Sequence, residues 1–148
     1  MRISGKSGIG LFSLCVAVVA ACFAICDDRR PSDEQVLREV LLDTGLVIPS
    51  EAKVSAFEVA KSFMDPAWLA KISLPTSQCD ALRVQLESWP SAVGMFFGAY
   101  SDGVEWWKPT NVVADKHYGT KRNTLAHVVL SKEHGQCLVF IEHVATNP

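Results

Sequence analysis

The sequence has few of the features that identify an enzyme or a metalloprotein. It contains no nucleophile elbow, no phosphate-binding loop, no zincin helix and no paired catalytic carboxylates. It also contains no C-x-x-C pair of the kind that begins a zinc site. These absences leave no catalytic residue, cofactor or metal to assign, and they favour a non-enzymatic role.

Basic residues are scarce beyond the first 26 positions. Two of the 14 Lys and Arg residues precede Asp27, whereas all 16 acidic residues lie at or after it, so residues 27–148 carry 12 − 16 = −4. Binding to nucleic acid draws on clustered Lys and Arg that displace counterions from phosphates. The acidic balance therefore argues against nucleic acid as a partner.

A hydrophobic run occupies the amino terminus. Residues 9–26 carry no charge, follow Arg2 and Lys6, and end at a charged stretch that begins with Asp27. A basic start, an apolar stretch and an exit with small residues are the three parts of an export signal. We therefore predict that residues 1–26 direct the chain to the bacterial cell envelope, with the rest on the periplasmic side of the membrane and residues 27–31 as a short tether.

The segment Val19-Ala20-Ala21-Cys22 resembles the lipobox of bacterial lipoprotein precursors. The resemblance covers these four residues and the hydrophobic stretch before them, and it implies that Cys22 is lipidated and becomes the new amino terminus. Residues 23–26 stay apolar, whereas lipoproteins usually turn polar after the cysteine, so two other fates remain open. Cleavage after Cys26 releases a soluble protein. Without cleavage, the run is near the short end of the ~17 to 25 residues that span a bilayer as a transmembrane helix.

Two cysteines, Cys79 and Cys137, lie beyond the leader. In an oxidising compartment an even pair is a candidate disulfide. Both also fall in apolar patterns, where a buried free cysteine behaves as a small hydrophobic residue. The sequence leaves the bridge and the two free thiols as alternatives.

The hydrophobic pattern predicts a single α+β domain over residues 32–148. Ser32 and Gln35 have the spacing of a capping box, and Gly45 is placed to end the helix that follows. Residues 53–63 fit both strand alternation and helical spacing, and we predict a strand there; alternation from Trp68 to Leu74 predicts a second one. Apolar residues at helical spacing then predict a second helix, on the face shared by Cys79, Leu82, Leu86 and Trp89.

The carboxy-terminal residues predict a β-hairpin. Residues 124–132 and 136–144 read as strands, and His134-Gly135 suits a two-residue turn. In that register His127 lies opposite Glu142. The whole pattern predicts a four-stranded antiparallel sheet with two or three helices on one face, after the leader or anchor helix.

The segment between Trp89 and Asn123 is broken by glycines and prolines, and we predict a loop with a short helix over residues 91–100. Both faces of the hairpin carry apolar residues, so this loop is the expected cover of the face without helices. Its aromatic residues are a candidate binding patch for a glycan, a lipid surface or an envelope protein, namely Tyr100, Trp106, Trp107 and Tyr118. The alternative is that both tryptophans serve only as core and lid.

We expect from these patterns a membrane-anchored envelope protein with a non-enzymatic binding or accessory role. One alternative is a small periplasmic enzyme that uses Cys137 or the hairpin histidines, His127 and His143. A structural subunit of an envelope complex is the other. The partners expected are the membrane, through the lipid or helix, and an envelope protein or glycan.

Overall fold

The computed structural model describes residues 30–60, 66–92 and 100–145 of the chain. The predictions for the leader, for Cys22 and for most of the helix over residues 91–100 lie outside these ranges. Within them the protein is an α+β domain built mostly of sheet. The elements are α1 (Asp33–Thr44), β1 (Lys53–Ala60), β2 (Ala67–Pro75), a 3₁₀ turn (Thr76–Gln78), α2 (Cys79–Glu87), β3 (Val112–Gly119), β4 (Leu125–Glu133) and β5 (Gln136–Val144).

The sheet has five antiparallel strands in the order β1-β2-β5-β4-β3. The prediction of four strands was wrong by one, because Val112–Gly119 forms an edge strand where the sequence indicated a loop. An edge strand meets the rest of the sheet on one side alone, so it needs few apolar residues. In β3 only Tyr118 is buried, which explains why the hydrophobic pattern is weak there.

Helix α1 has the ends that the sequence predicts. The Ser32 hydroxyl accepts a hydrogen bond from the Gln35 amide, and the Gln35 side chain accepts one from the Ser32 amide. Gly45 ends the helix with φ 77°, a left-handed conformation that glycine adopts without steric cost. Both ends of α1 are therefore defined by the residues beside them.

The first face of the sheet, defined as the face that carries α1 and α2, holds the main hydrophobic core. The two helices contribute Val36 and Val40 from α1 and Leu82 and Leu86 from α2. Cys79 at the start of α2 is bonded to Cys137 of β5, with the two sulfur atoms 2.03 Å apart and both residues fully buried. The structure thus contains the disulfide, rather than two free thiols. The central sheet residues of this core are Ala70, Ile72, Val128, Leu130, Val139 and Ile141.

The hairpin of β4 and β5 has the predicted turn and register. His134 and Gly135 have φ values of 49° and 75°, as a tight two-residue turn requires. His127 lies opposite Glu142, as expected from the sequence. Among the described residues, no helix is long and apolar enough to cross a membrane.

Candidate functional site

The second face of the sheet, opposite the helices, carries a smaller apolar cluster. It consists of Val129, Leu138 and Phe140, with Trp106 and Trp107 packed against them. The Trp107 ring meets Phe140 edge-on with ring centroids 5.6 Å apart, and it lies 6.0 Å from the His127 ring. Both indoles are half-buried, so each serves as a lid while keeping part of its surface accessible.

Residues 100–108, called the aromatic loop below, form this lid. Glu142 of β5 holds the start of the loop, because its carboxylate accepts hydrogen bonds from the Tyr100 amide at 3.2 Å and the Ser101 hydroxyl at 3.1 Å. Beyond the loop, the Thr110 amide donates to Glu133 of β4 at 2.7 Å. Hydrogen bonds therefore hold the chain on the second face both before and after the tryptophans.

An open cleft of about 600 Å³ lies between the aromatic loop and the sheet. It combines an indole with charged and hydroxyl groups, an arrangement in which an apolar surface and a few polar groups orient a ligand together. Its lining residues are Ser101, Asp102, Gly103, Val104, Glu105, Trp107, Lys108 and His127.

Tyr118 does not share a surface with the tryptophans, and its place in the predicted binding patch was wrong. Its position in β3 directs it to the first face, where it is 2 % exposed and its ring lies 4.6 Å from that of Trp89. The hydroxyl donates to the Thr44 carbonyl, and burial raises the pKa of Tyr118 far above its usual value. Tyr100 begins the aromatic loop, and Trp106 and Trp107 lie against each other within it with ring centroids 5.9 Å apart.

Three side chains that suit metal ligation meet beside the cleft. His117 of β3 lies directly opposite His127 of β4, and their ring centroids are 4.0 Å apart. Asp115 is two residues before His117 and faces the same side; its Oδ1 is 3.0 Å from His127 Nε2 and 3.6 Å from His117 Nε2. We call Asp115, His117 and His127 the histidine cluster. The sequence does not predict this cluster, because β3 lacks the apolar alternation of a half-buried strand.

Glu142 lies behind the histidine cluster. Its Oε2 is 3.7 Å from Nδ1 of His127, and its side chain is fully buried. Burial by itself raises the pKa of Glu142, but the His127 ring, the Tyr100 amide and the Ser101 hydroxyl outweigh it and hold that pKa below its usual value. In the cluster, burial and the neighbouring His127 lower the pKa of His117, against the opposing effect of Asp115. The surroundings therefore favour the ionised form of Glu142 and the neutral form of His117.

The two other sequence candidates for catalysis lie on the first face. Cys137 is fully buried in its disulfide, so it has no thiolate to act as a nucleophile. His143 is 3 % exposed, stacks on Trp68 with ring centroids 5.0 Å apart, and has its Nε2 2.9 Å from Thr124 Oγ1. The alternation of β5 thus separates His143 from Glu142, as the sequence predicts.

Comparisons with known protein families, with curated proteins and with solved structures find no match for this chain. The functional argument therefore rests on the residues of this chain alone.

Proposed function

We propose that the chain is an exported, membrane-anchored envelope protein whose domain binds a glycan of the envelope without chemical turnover. The cleft beneath the aromatic loop is the observation that carries the proposal. An indole face packs on the apolar face of a sugar ring, while carboxylates and hydroxyls satisfy the sugar hydroxyls. Trp107 supplies the indole, and Asp102 and Glu105 supply the carboxylates.

The charges of the cleft favour a sugar surface over an anionic lipid surface. Asp102 and Glu105 are exposed at its rim, and Lys108 is the basic residue among those that line it. An anionic headgroup layer repels the two carboxylates more than it attracts the single ammonium group. A glycan is therefore the ligand that fits this lining best.

Sedimentation with insoluble peptidoglycan tests whether the chain binds a glycan. The full chain, purified in detergent, is expected to sediment with the glycan, and Trp107→Leu, which keeps an apolar cover on Phe140, is expected to bind at least about 10-fold more weakly. Trp89→Phe, on the first face, is the matched control and should bind like the wild type. Wild-type chain that stays in the supernatant, or Trp107→Leu that sediments equally well, overturns the glycan proposal.

The membrane anchor is tested separately, by mass spectrometry of the protein from the membrane fraction. A diacylglycerol-modified Cys22 supports the lipoprotein form, and an intact terminus at Met1 or Arg2 supports the uncleaved anchor. Either result supports the anchoring. A chain that begins at Asp27 contradicts both forms and leaves a released protein.

A further inference from the structure

Three potential ligand atoms converge on the second face, one from each residue of the histidine cluster. Asp115, His117 and His127 each offer one ligand atom, and these three atoms all lie within 4.8 Å of one another. In a tetrahedral zinc site with bonds of 2.0–2.1 Å, neighbouring ligand atoms are about 3.3 Å apart. The two carboxylate-to-imidazole distances, 3.0 and 3.6 Å, lie on either side of that value.

The backbone places these groups on two paired strands. His117 and His127 are paired directly across β3 and β4, and Asp115 is on the same face because side chains alternate along a strand. The β4 strand is also paired along its length with β5, so the His127 position is held from both sides. Ligands on paired strands are positioned more accurately than ligands on loops.

A buried carboxylate lies behind the most enclosed of the three residues. The His127 side chain is 12 % exposed, and its Nδ1 faces Oε2 of Glu142 at 3.7 Å. Histidine ligands of metals commonly direct their second ring nitrogen to a carboxylate, which fixes the tautomer and leaves the lone pair of the first nitrogen for the metal. Glu142 is itself held by the Tyr100 amide and the Ser101 hydroxyl, so this orientation is part of the fold.

We propose that Asp115, His117 and His127 bind a divalent first-row transition-metal ion, with Glu142 as the positioning residue behind His127. Two imidazoles and one carboxylate suit Zn²⁺, Ni²⁺ or Cu²⁺ better than Mg²⁺ or Ca²⁺, which take oxygen ligands. Three protein ligands leave a coordination position for water or a ligand group. Asp115 and His117 have side chains 58 % and 36 % exposed, so that position is open to solvent. The inference goes beyond glycan binding and does not depend on it.

Calorimetric titration with Zn²⁺ tests the site. The full chain without a polyhistidine tag is stripped with a chelator and kept in detergent, and it is expected to bind one Zn²⁺. Asp115→Asn and His117→Gln each remove one ligand at a partly exposed position where folding is little affected, and each should weaken binding by more than about 100-fold. Glu142→Gln should weaken it by about 10- to 100-fold. Co²⁺ as a second probe gives a visible absorption spectrum that reports coordination by these groups directly.

His134→Gln is the matched control, because His134 is exposed in the β4–β5 turn, away from the histidine cluster. It should bind Zn²⁺ like the wild type. Trp107→Leu keeps all three ligands and should also bind Zn²⁺ within a few-fold of the wild type, which separates this site from the glycan site. A wild-type chain that binds no Zn²⁺, or a His117→Gln variant that retains wild-type affinity and the same Co²⁺ spectrum, overturns the inference.

Discussion

Glu142 connects the two parts of the candidate site. A buried carboxylate loses its hydration, and that cost is offset only when donors surround it. Here the aromatic loop supplies donors, and the His127 ring lies on the other side with its Nδ1 3.7 Å from Oε2. The residue that holds the aromatic loop therefore also lies directly behind the most enclosed residue of the histidine cluster.

His143 makes the stability of the fold depend on pH. Burial lowers its pKa below the ordinary 6.5, and the charge of Arg122 adds to this effect while Asp43 opposes it. Between the lowered pKa and 6.5 the unfolded chain binds a proton that the folded chain does not. The buried, neutral His143 therefore stabilises the fold fully above pH 6.5. This stabilisation is lost as the pH falls, by at most about 1.4 kcal/mol per pH unit for one proton.

Urea unfolding between about pH 5 and 7 measures this effect. We expect the free energy of unfolding of the wild type to fall towards the acidic end, and His143→Gln to show a shallower dependence because the titrating ring is gone. His134→Gln, in the exposed turn, controls for the loss of any histidine and should follow the wild type. Parallel curves for the wild type and His143→Gln contradict the prediction.

At the scale of elements, the β4–β5 hairpin was predictable because its signals are local. Two apolar strands flank a turn whose glycine accepts a positive φ, and together these fix which residues lie opposite each other. The pairing of His127 with Glu142 followed from that register alone. The contacts of Glu142 with Tyr100 and Ser101 did not, because they join residues more than forty positions apart.

The edge strand β3 was not predictable from hydrophobicity. Its apolar residues Val112 and Val113 are exposed, and its one buried side chain is Tyr118. The strand therefore does not show the alternation of apolar and polar residues that identifies a half-buried strand. Asn111 and Asn123, with φ values of 48° and 56°, bend the chain outside the two ends of the strand. The signal that was available is the spacing of Asp115 and His117, which places both on one face of any strand that contains them.

Because the sequence does not predict β3, it also does not predict the three candidate metal ligands. Without β3, the hairpin offers His127 and Glu142 alone, and two groups do not make a zinc site. The addition of one strand beside β4 places His117 opposite His127 and Asp115 next to it. The sequence thus contained the ligand types, while their juxtaposition depended on a pairing that the hydrophobic pattern does not encode.

At the scale of the whole domain, the two faces of the sheet divide structure from candidate function. The first face is closed by two helices and by the Cys79–Cys137 bridge, which joins the start of α2 to β5. The second face is covered in part by the aromatic loop, which leaves the cleft and the histidine cluster accessible. A substitution at an exposed position of the second face, such as Asp115, is therefore less costly to the fold than one in the main core.

The disulfide is expected to supply a large share of the stability of this small domain. The cysteines are 58 positions apart, and closing a loop of that length in the unfolded chain is worth about 4 kcal/mol. Small domains have free energies of unfolding of about 5–15 kcal/mol in total. Replacing both cysteines by alanine should lower the urea midpoint accordingly, as should a reductant added to the wild type.

The effect of reductant on the double variant separates the bridge from the packing of its sulfur atoms. Cys79→Ala combined with Cys137→Ala has no bond to reduce, so its midpoint should be the same with and without reductant. Any further loss relative to the reduced wild type measures the cavity left by two buried sulfur atoms. If the oxidised and reduced wild type unfold at the same urea concentration, the bridge does not constrain the unfolded chain. The stability of the fold then gives no support to the proposal that the chain is exported to an oxidising compartment.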